Sequence, residues 1–151
     1  MSIIQEFGLY ILTVVSLAIL GAYLGFLAHE LTHFTLGRVF GSPTEFVIVY
    51  RFLPRAVYFP DYETMAAHHI RIAGGTVIFW PVLLIGVIWY FGMPSNHLGE
   101  LALFFLIGAS VVSPSDLLCL FFPEKWRVYA DSDDVGHRRA LELLFEGFQE
   151  I

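Results

Sequence analysis

Residues 29–33 read His29-Glu30-Leu31-Thr32-His33, two imidazoles four positions apart with a carboxylate beside the first. On a helix, residues four apart share a face, so His29 and His33 can point at one ion. Neutral imidazole suits zinc, and two of them leave room for a third protein ligand and a water. Glu30 is one residue along and does not stack with the histidines. Its carboxylate can still reach a water at the ion and serve as general base. The motif follows directly on an uncharged apolar run, where His and Glu are costly and are usually functional.

That run lies in a chain of 151 residues, 57% of them hydrophobic and only 15% charged, with a mean hydropathy of +0.70. Soluble domains carry about a quarter of their residues as charges, so the class implied is an integral membrane protein. The net charge of −6 excludes nucleic acid as a partner, which would need a basic surface. The single cysteine, Cys119, allows no intrachain disulfide and no cysteine-based metal site. The N-terminus has no basic region ahead of its apolar run, and that run is long enough to span, so no cleavable signal peptide is expected.

The elements that must position the motif can be placed in order. Residues 8–28 form a first span, and its helical pattern continues through His33 to about Leu36, where Gly37 offers a stop. The motif therefore sits near one face of the membrane. Gly41-Ser42-Pro43 is a turn signal. Glu45–Arg51 and Ala56–Phe59 are rich in β-branched and aromatic residues and read as two short strands, interrupted by Leu53-Pro54-Arg55 and ending at Pro60. The competing reading is an irregular interfacial loop. Residues 72–91 are a second span, with Gly74-Gly75 permitting close approach of a neighbouring helix and Pro81 allowing a kink. Residues 101–122 are a third, interrupted by Ser113-Pro114-Ser115-Asp116. The expected organisation is a membrane domain over 1–123 and a tail over 124–151. In the tail, Asp131-Ser132-Asp133-Asp134 reads as a loop and helix start. An amphipathic helix follows, with Leu141, Leu144, Phe145 and Phe148 as its apolar stripe and Arg138 paired with Glu142.

Charge placement selects among candidate third ligands. Arg38, Arg51, Arg55 and Arg71 lie between the first and second spans, and Lys125, Arg127, Arg138 and Arg139 follow the third. With three spans both groups fall on one side, which the positive-inside rule makes cytoplasmic, leaving the N-terminus outside. His29 and His33 then sit at the cytoplasmic end of the first span. Asp116 lies about two turns from the cytoplasmic end of the third, a compatible depth. An acid inside an apolar run needs a partner, and an ion is one. Ser115 or Asp116 could equally cap a helix restarted after Pro114, and the two roles are compatible. His97 falls in the outer connection, and His137 would need a docked tail. Asp116 is the expected third ligand, with His68 or His69 as the alternative.

At these positions the chain resembles the site-2 protease family of intramembrane zinc metalloproteases. His29, Glu30 and His33 match its H-E-x-x-H. Ile72-Ala73-Gly74-Gly75 is similar to the Ala-Gly-Pro-like opening of its second core span, and Ser113-Pro114-Ser115-Asp116 to the Asn/Pro…Asp-Gly stretch that carries its aspartate ligand. Leu117 stands where the family usually has Gly, and Gly75 where it has Pro, which marks a divergent, minimal member. The similarity covers roughly residues 8–122. It implies an α-helical membrane protein with three transmembrane helices, a short β-ribbon between the first two and Zn2+ held by His29, His33 and Asp116. It also implies a catalytic Glu30 and hydrolysis of membrane protein substrates in the lipid bilayer of the cell membrane, near the cytoplasmic face. The alternative is a non-catalytic metal-binding protein of the same fold that binds or regulates a partner.

Overall fold

Helix α1, Ile3–Val39, is the longest element of the computed structural model, which describes residues 3–49, 53–132 and 136–151. Tyr50 and Arg51 of the first expected strand, and Asp133 and Asp134 of the expected helix start, lie outside those residues. From residue 8 to residue 28 α1 carries no charged side chain, and Leu9, Leu12, Ile19 and Leu24 are exposed. Its hydroxyls turn inward to the backbone: Thr13 donates to the Leu9 carbonyl at 2.9 Å and Ser16 to that of Leu12 at 2.8 Å. Those bonds let polar residues sit in an apolar helix at little cost. The helix does not stop at Gly37. That glycine is buried where Thr44 and Phe59 come too close for any Cβ. Gly41 ends the helix instead, with the left-handed φ of 85° that glycine adopts readily.

Strands β1 (Glu45–Val49) and β2 (Leu53–Tyr58) pair antiparallel, as expected of a ribbon, with Val47 opposite Ala56 and Ile48 opposite Pro54. Leu53-Pro54-Arg55 belongs to the second strand and does not interrupt it. The register shifts between Val47 and Ile48, beside Pro54, whose ring nitrogen has no hydrogen to give the ladder. The second apolar helix begins earlier than residue 72. Helix α2 (Ala67–Gly75) passes through a 3-10 turn at Thr76–Ile78 into α3 (Phe79–Phe91). Pro81 cannot bond to the Val77 carbonyl, and the helix tightens at that point. No residue of α3 is buried, and Trp89, Tyr90 and Phe91 at its end are among the most exposed side chains. Bulky aromatics in that place suit a membrane–water interface.

The third apolar stretch is two helices, α4 (His97–Ala109) and α5 (Pro114–Phe121). By length and apolarity, Ile4–Val39 and Ala67–Phe91 can each cross a membrane alone, whereas α4 and α5 qualify only together. The tail holds α6 (Pro123–Ala130), a helix its polar sequence did not announce, and α7 (His137–Gln149). In α7 the buried residues are Ala140, Leu143, Leu144 and Gly147. Of the expected stripe only Leu144 is buried, while Leu141 and Phe145 are exposed. The small residues decide the face, since Gly147 lets the helix lie directly on the Phe122 ring. Arg138 donates to Glu142 at 3.0 Å, as its spacing predicts.

The chain divides into two compact units, Met1–His29 with Phe79–Val111, and Glu30–Ile78 with Val112–Ile151. In the first, α1 and α4 touch through small residues. A Cβ on Gly25 would overlap the Phe105 carbonyl, and one on Gly108 the backbone of Ala22. In the second, one apolar cluster gathers Phe59, Tyr62, Met65, Ile70, Ala73 and Cys119, and another centres on Leu118, Leu143 and Leu144. The tail helices thus pack in the same unit as the ribbon, α2 and α5.

Candidate metal centre

His33 is fixed within the second unit by two neighbours. Its Nδ1 lies 2.6 Å from the Ala73 carbonyl of α2, and its Nε2 lies 3.4 Å from Asp116 Oδ1 at the start of α5. A carbonyl can only accept, so Nδ1 carries the hydrogen and, in the neutral ring, the acceptor lone pair is on Nε2. Ala73 can come this close because Gly74 follows it. A Cβ there would collide with that of Cys119, so the pair lets α2 lie against α5.

His29 is set in the same way. Its Nδ1 is 3.0 Å from the Ala109 carbonyl at the end of α4, within the first unit. Helix α1 continues unbroken from His29 into His33, so the two rings keep the one-turn spacing of a helix. Both are buried, at 3% and 7% exposure, and Glu30 between them is at 6%.

Asp116 divides its two oxygens. Ser113 is the N-cap of α5, and its hydroxyl accepts from the Asp116 amide at 3.2 Å. Asp116 Oδ2 accepts from the Ser113 amide at 2.7 Å. This reciprocal capping box satisfies two amides that a helix start would otherwise leave open. The capping residue is therefore Ser113, not Ser115 or Asp116, and the aspartate stands three positions on. With Oδ2 occupied by the cap, Oδ1 is the oxygen held toward His33. One side chain thus serves the cap with Oδ2 and leaves Oδ1 toward His33.

One ligand atom from each of His29, His33 and Asp116 lies within 4.8 Å of the others, and all three residues are buried. This group could hold a metal ion. Zinc bonds of about 2.0–2.1 Å in a tetrahedron put neighbouring donors about 3.3 Å apart, close to the 3.4 Å between His33 and Asp116. The donor set is two imidazoles and a carboxylate, with each imidazole oriented through its other nitrogen by a carbonyl. That is the arrangement seen around ligating histidines in general. The residues present therefore fit zinc.

The remaining histidines are elsewhere. His69 stacks on Phe40 with ring centres 4.3 Å apart, and His68 meets His69 edge-on. Neither belongs to the metal-competent group. His97 pairs with Glu100 at 2.9 Å on the exposed start of α4. His137 is exposed at the start of α7. No protein-family description, curated protein or solved structure matches this chain.

Proposed function

We propose that the chain is a zinc-dependent intramembrane endopeptidase of the site-2 protease type, cutting membrane-spanning substrates near the cytoplasmic face. The observation that carries this reading is the pair of imidazoles held through Nδ1 by the Ala109 and Ala73 carbonyls, with Asp116 Oδ1 3.4 Å from Nε2 of His33. A purely structural histidine does not need its second nitrogen turned toward a carboxylate and another imidazole. The reading includes the finer topology of three spans, with α4 and α5 as one broken crossing, the N-terminus outside and an amphipathic tail helix in the cytoplasm.

His29, His33 and Asp116 would hold the ion, which when bound supplies a Lewis acid that polarises the scissile carbonyl and acidifies water. Glu30 is the general base. Its carboxylate takes a proton from the attacking water and returns it to the leaving amine, so the amine departs neutral. Burial keeps bulk water from competing for that proton. A helical substrate hides its peptide bonds and must unwind first. The β1–β2 ribbon, with no third strand among the described residues, offers an edge to which an extended segment can add.

The test is Glu30→Gln, which keeps size and hydrogen bonding but removes basicity. The detergent-solubilised variant should retain about one zinc per chain, as a single site requires. It should lose cleavage of a single-span substrate by about a hundredfold or more. Equal processing by wild type and variant would remove Glu30 from the chemistry. Tight zinc with no cleavage of any such substrate would leave a non-catalytic metal-binding protein of the same fold.

A further inference from the structure

A groove of about 390 Å³ opens in the second unit, with Ser115, the chain neighbour of Asp116, in its lining. One wall is the ribbon, where Val47 and Ala56 are register partners and both are exposed. The other is the tail helix α6, which presents Trp126 and Tyr129. Among the lining residues are five aromatics: Tyr58, Phe59, Tyr62, Trp126 and Tyr129. We infer that this groove is a side-chain pocket for an extended peptide, selecting a bulky apolar or aromatic residue next to the bond to be cut.

Three observations point to a peptide. The first is position: the groove touches both the ribbon, whose edge can bond a peptide backbone, and the residue adjoining an expected ligand. A chain laid along the ribbon sends alternate side chains to one face, and the groove is where such a side chain would be received. The second is size and lining. A volume of this order accommodates a ring, and its walls are rings with few charges, so an apolar side chain gains by entering. The third is rigidity. Trp126 is fixed edge-on against Phe59 and Tyr62, with ring centres 6.0 and 6.1 Å away. Arg127 donates to the Tyr62 carbonyl at 3.3 Å and to that of Met65, and Tyr62 donates to Asp131 at 3.0 Å. The tail helix is thereby tied to the segment after the ribbon, which keeps the pocket formed before a ligand arrives. The tail would thus set specificity, a role independent of the metal ligands.

The inference rests on the peptidase reading for the fate of the bound peptide, but binding can be measured without cleavage. In the full-length Glu30→Gln protein, Trp80→Phe and Trp89→Phe leave Trp126 as the only tryptophan. The probes are two uncharged octapeptides that differ only by Phe or Ala at one central position. The Phe peptide should change Trp126 emission saturably, and the Ala peptide should bind about tenfold or more weakly, the loss expected for an unfilled aromatic pocket. Ala56→Phe and Val47→Phe each fill the groove from an exposed strand position that tolerates an aromatic, so either should abolish the preference for Phe. Equal binding of the two peptides overturns the pocket, as does an undiminished preference in both filled variants whose thermal unfolding matches the parent. Cleavage of Phe and Ala substrates at equal rates by the Glu30-intact protein would also overturn it while leaving the peptidase reading intact. Selective binding with no cleavage would do the reverse.

Discussion

Asp116 holds a helix start with one oxygen and faces His33 with the other, so its two roles can be separated by substitution. Asp116→Asn keeps an acceptor for the Ser113 amide and removes the charge. It should leave α5 folded and weaken zinc binding severely, read by competition with a chelator. Ser113→Ala keeps the carboxylate and removes half of the capping box. It should cost about 1 kcal/mol of stability and reduce zinc affinity about 10–100-fold, the usual effect of losing a group that orients a ligand. Full zinc retention in Asp116→Asn would exclude the aspartate as a ligand. The histidine pair is legible in the sequence because a helix repeats regularly, and the pattern Ser113-x-x-Asp116 carries a capping box just as openly. The carbonyls of Ala73 and Ala109 are not legible. They lie 40 and 80 residues from the histidines they orient, and every residue offers the same carbonyl. Only the packing selects them.

At the scale of elements, the site depends on how closely helices approach. Gly74 and Gly75 of α2 lie against Cys119 and Leu120 of α5, which brings Ala73 to His33 and Asp116 to the same ring. A methyl at Gly74 has no room, whereas Gly86 of α3 has nothing within 4 Å of where a Cβ would stand. Gly74→Ala should therefore lower the melting temperature, at a cost of about 1–3 kcal/mol for overpacking, and weaken zinc binding with it. Gly86→Ala should be neutral or slightly stabilising, by up to about 1 kcal/mol of helix propensity. Equal melting of the two variants would mean that the α2–α5 approach is not tight. The glycine pair announces such an approach, and the ribbon is announced by its β-branched run. The helix end at Gly41 and the buried face of α7 are less readable. Both turn on which of several small residues the packing uses, as at Gly37, Ala140 and Gly147. Helix α6 was hidden because its few apolar residues, Trp126 above all, find their partners in the segment after the ribbon and not along the helix itself.

For the whole molecule, the number of crossings follows from which segments must share a side. The segment after the ribbon, before the second apolar helix, contacts α6, which follows the broken third one. Phe59 and Tyr62 meet Trp126, and Tyr62 bonds to Asp131, all within one unit. Arg127 and Asp131, which bond to Tyr62, would suit that cluster to the water's edge. Residues 62 and 126 therefore belong on one side, and the chain between them must cross an even number of times. On the proposed reading residues 67–91 make one crossing, and α4 and α5 would together make the return. The proposed three spans agree with the charges: all eight Lys and Arg would then lie on one side, whereas two spans would split them four and four. Tags fused at the two ends should accordingly differ, the N-terminal one accessible on intact cells and the C-terminal one only after permeabilisation. Ser95→Cys, in the connection between α3 and α4, should react with a membrane-impermeant maleimide from the outside of intact cells. The native Cys119 is buried and adds no background. Labelling of Ser95→Cys from the cytoplasmic side only would mean that the orientation is inverted, and both tags on the same side would mean that α4 and α5 dip into the membrane and return without crossing.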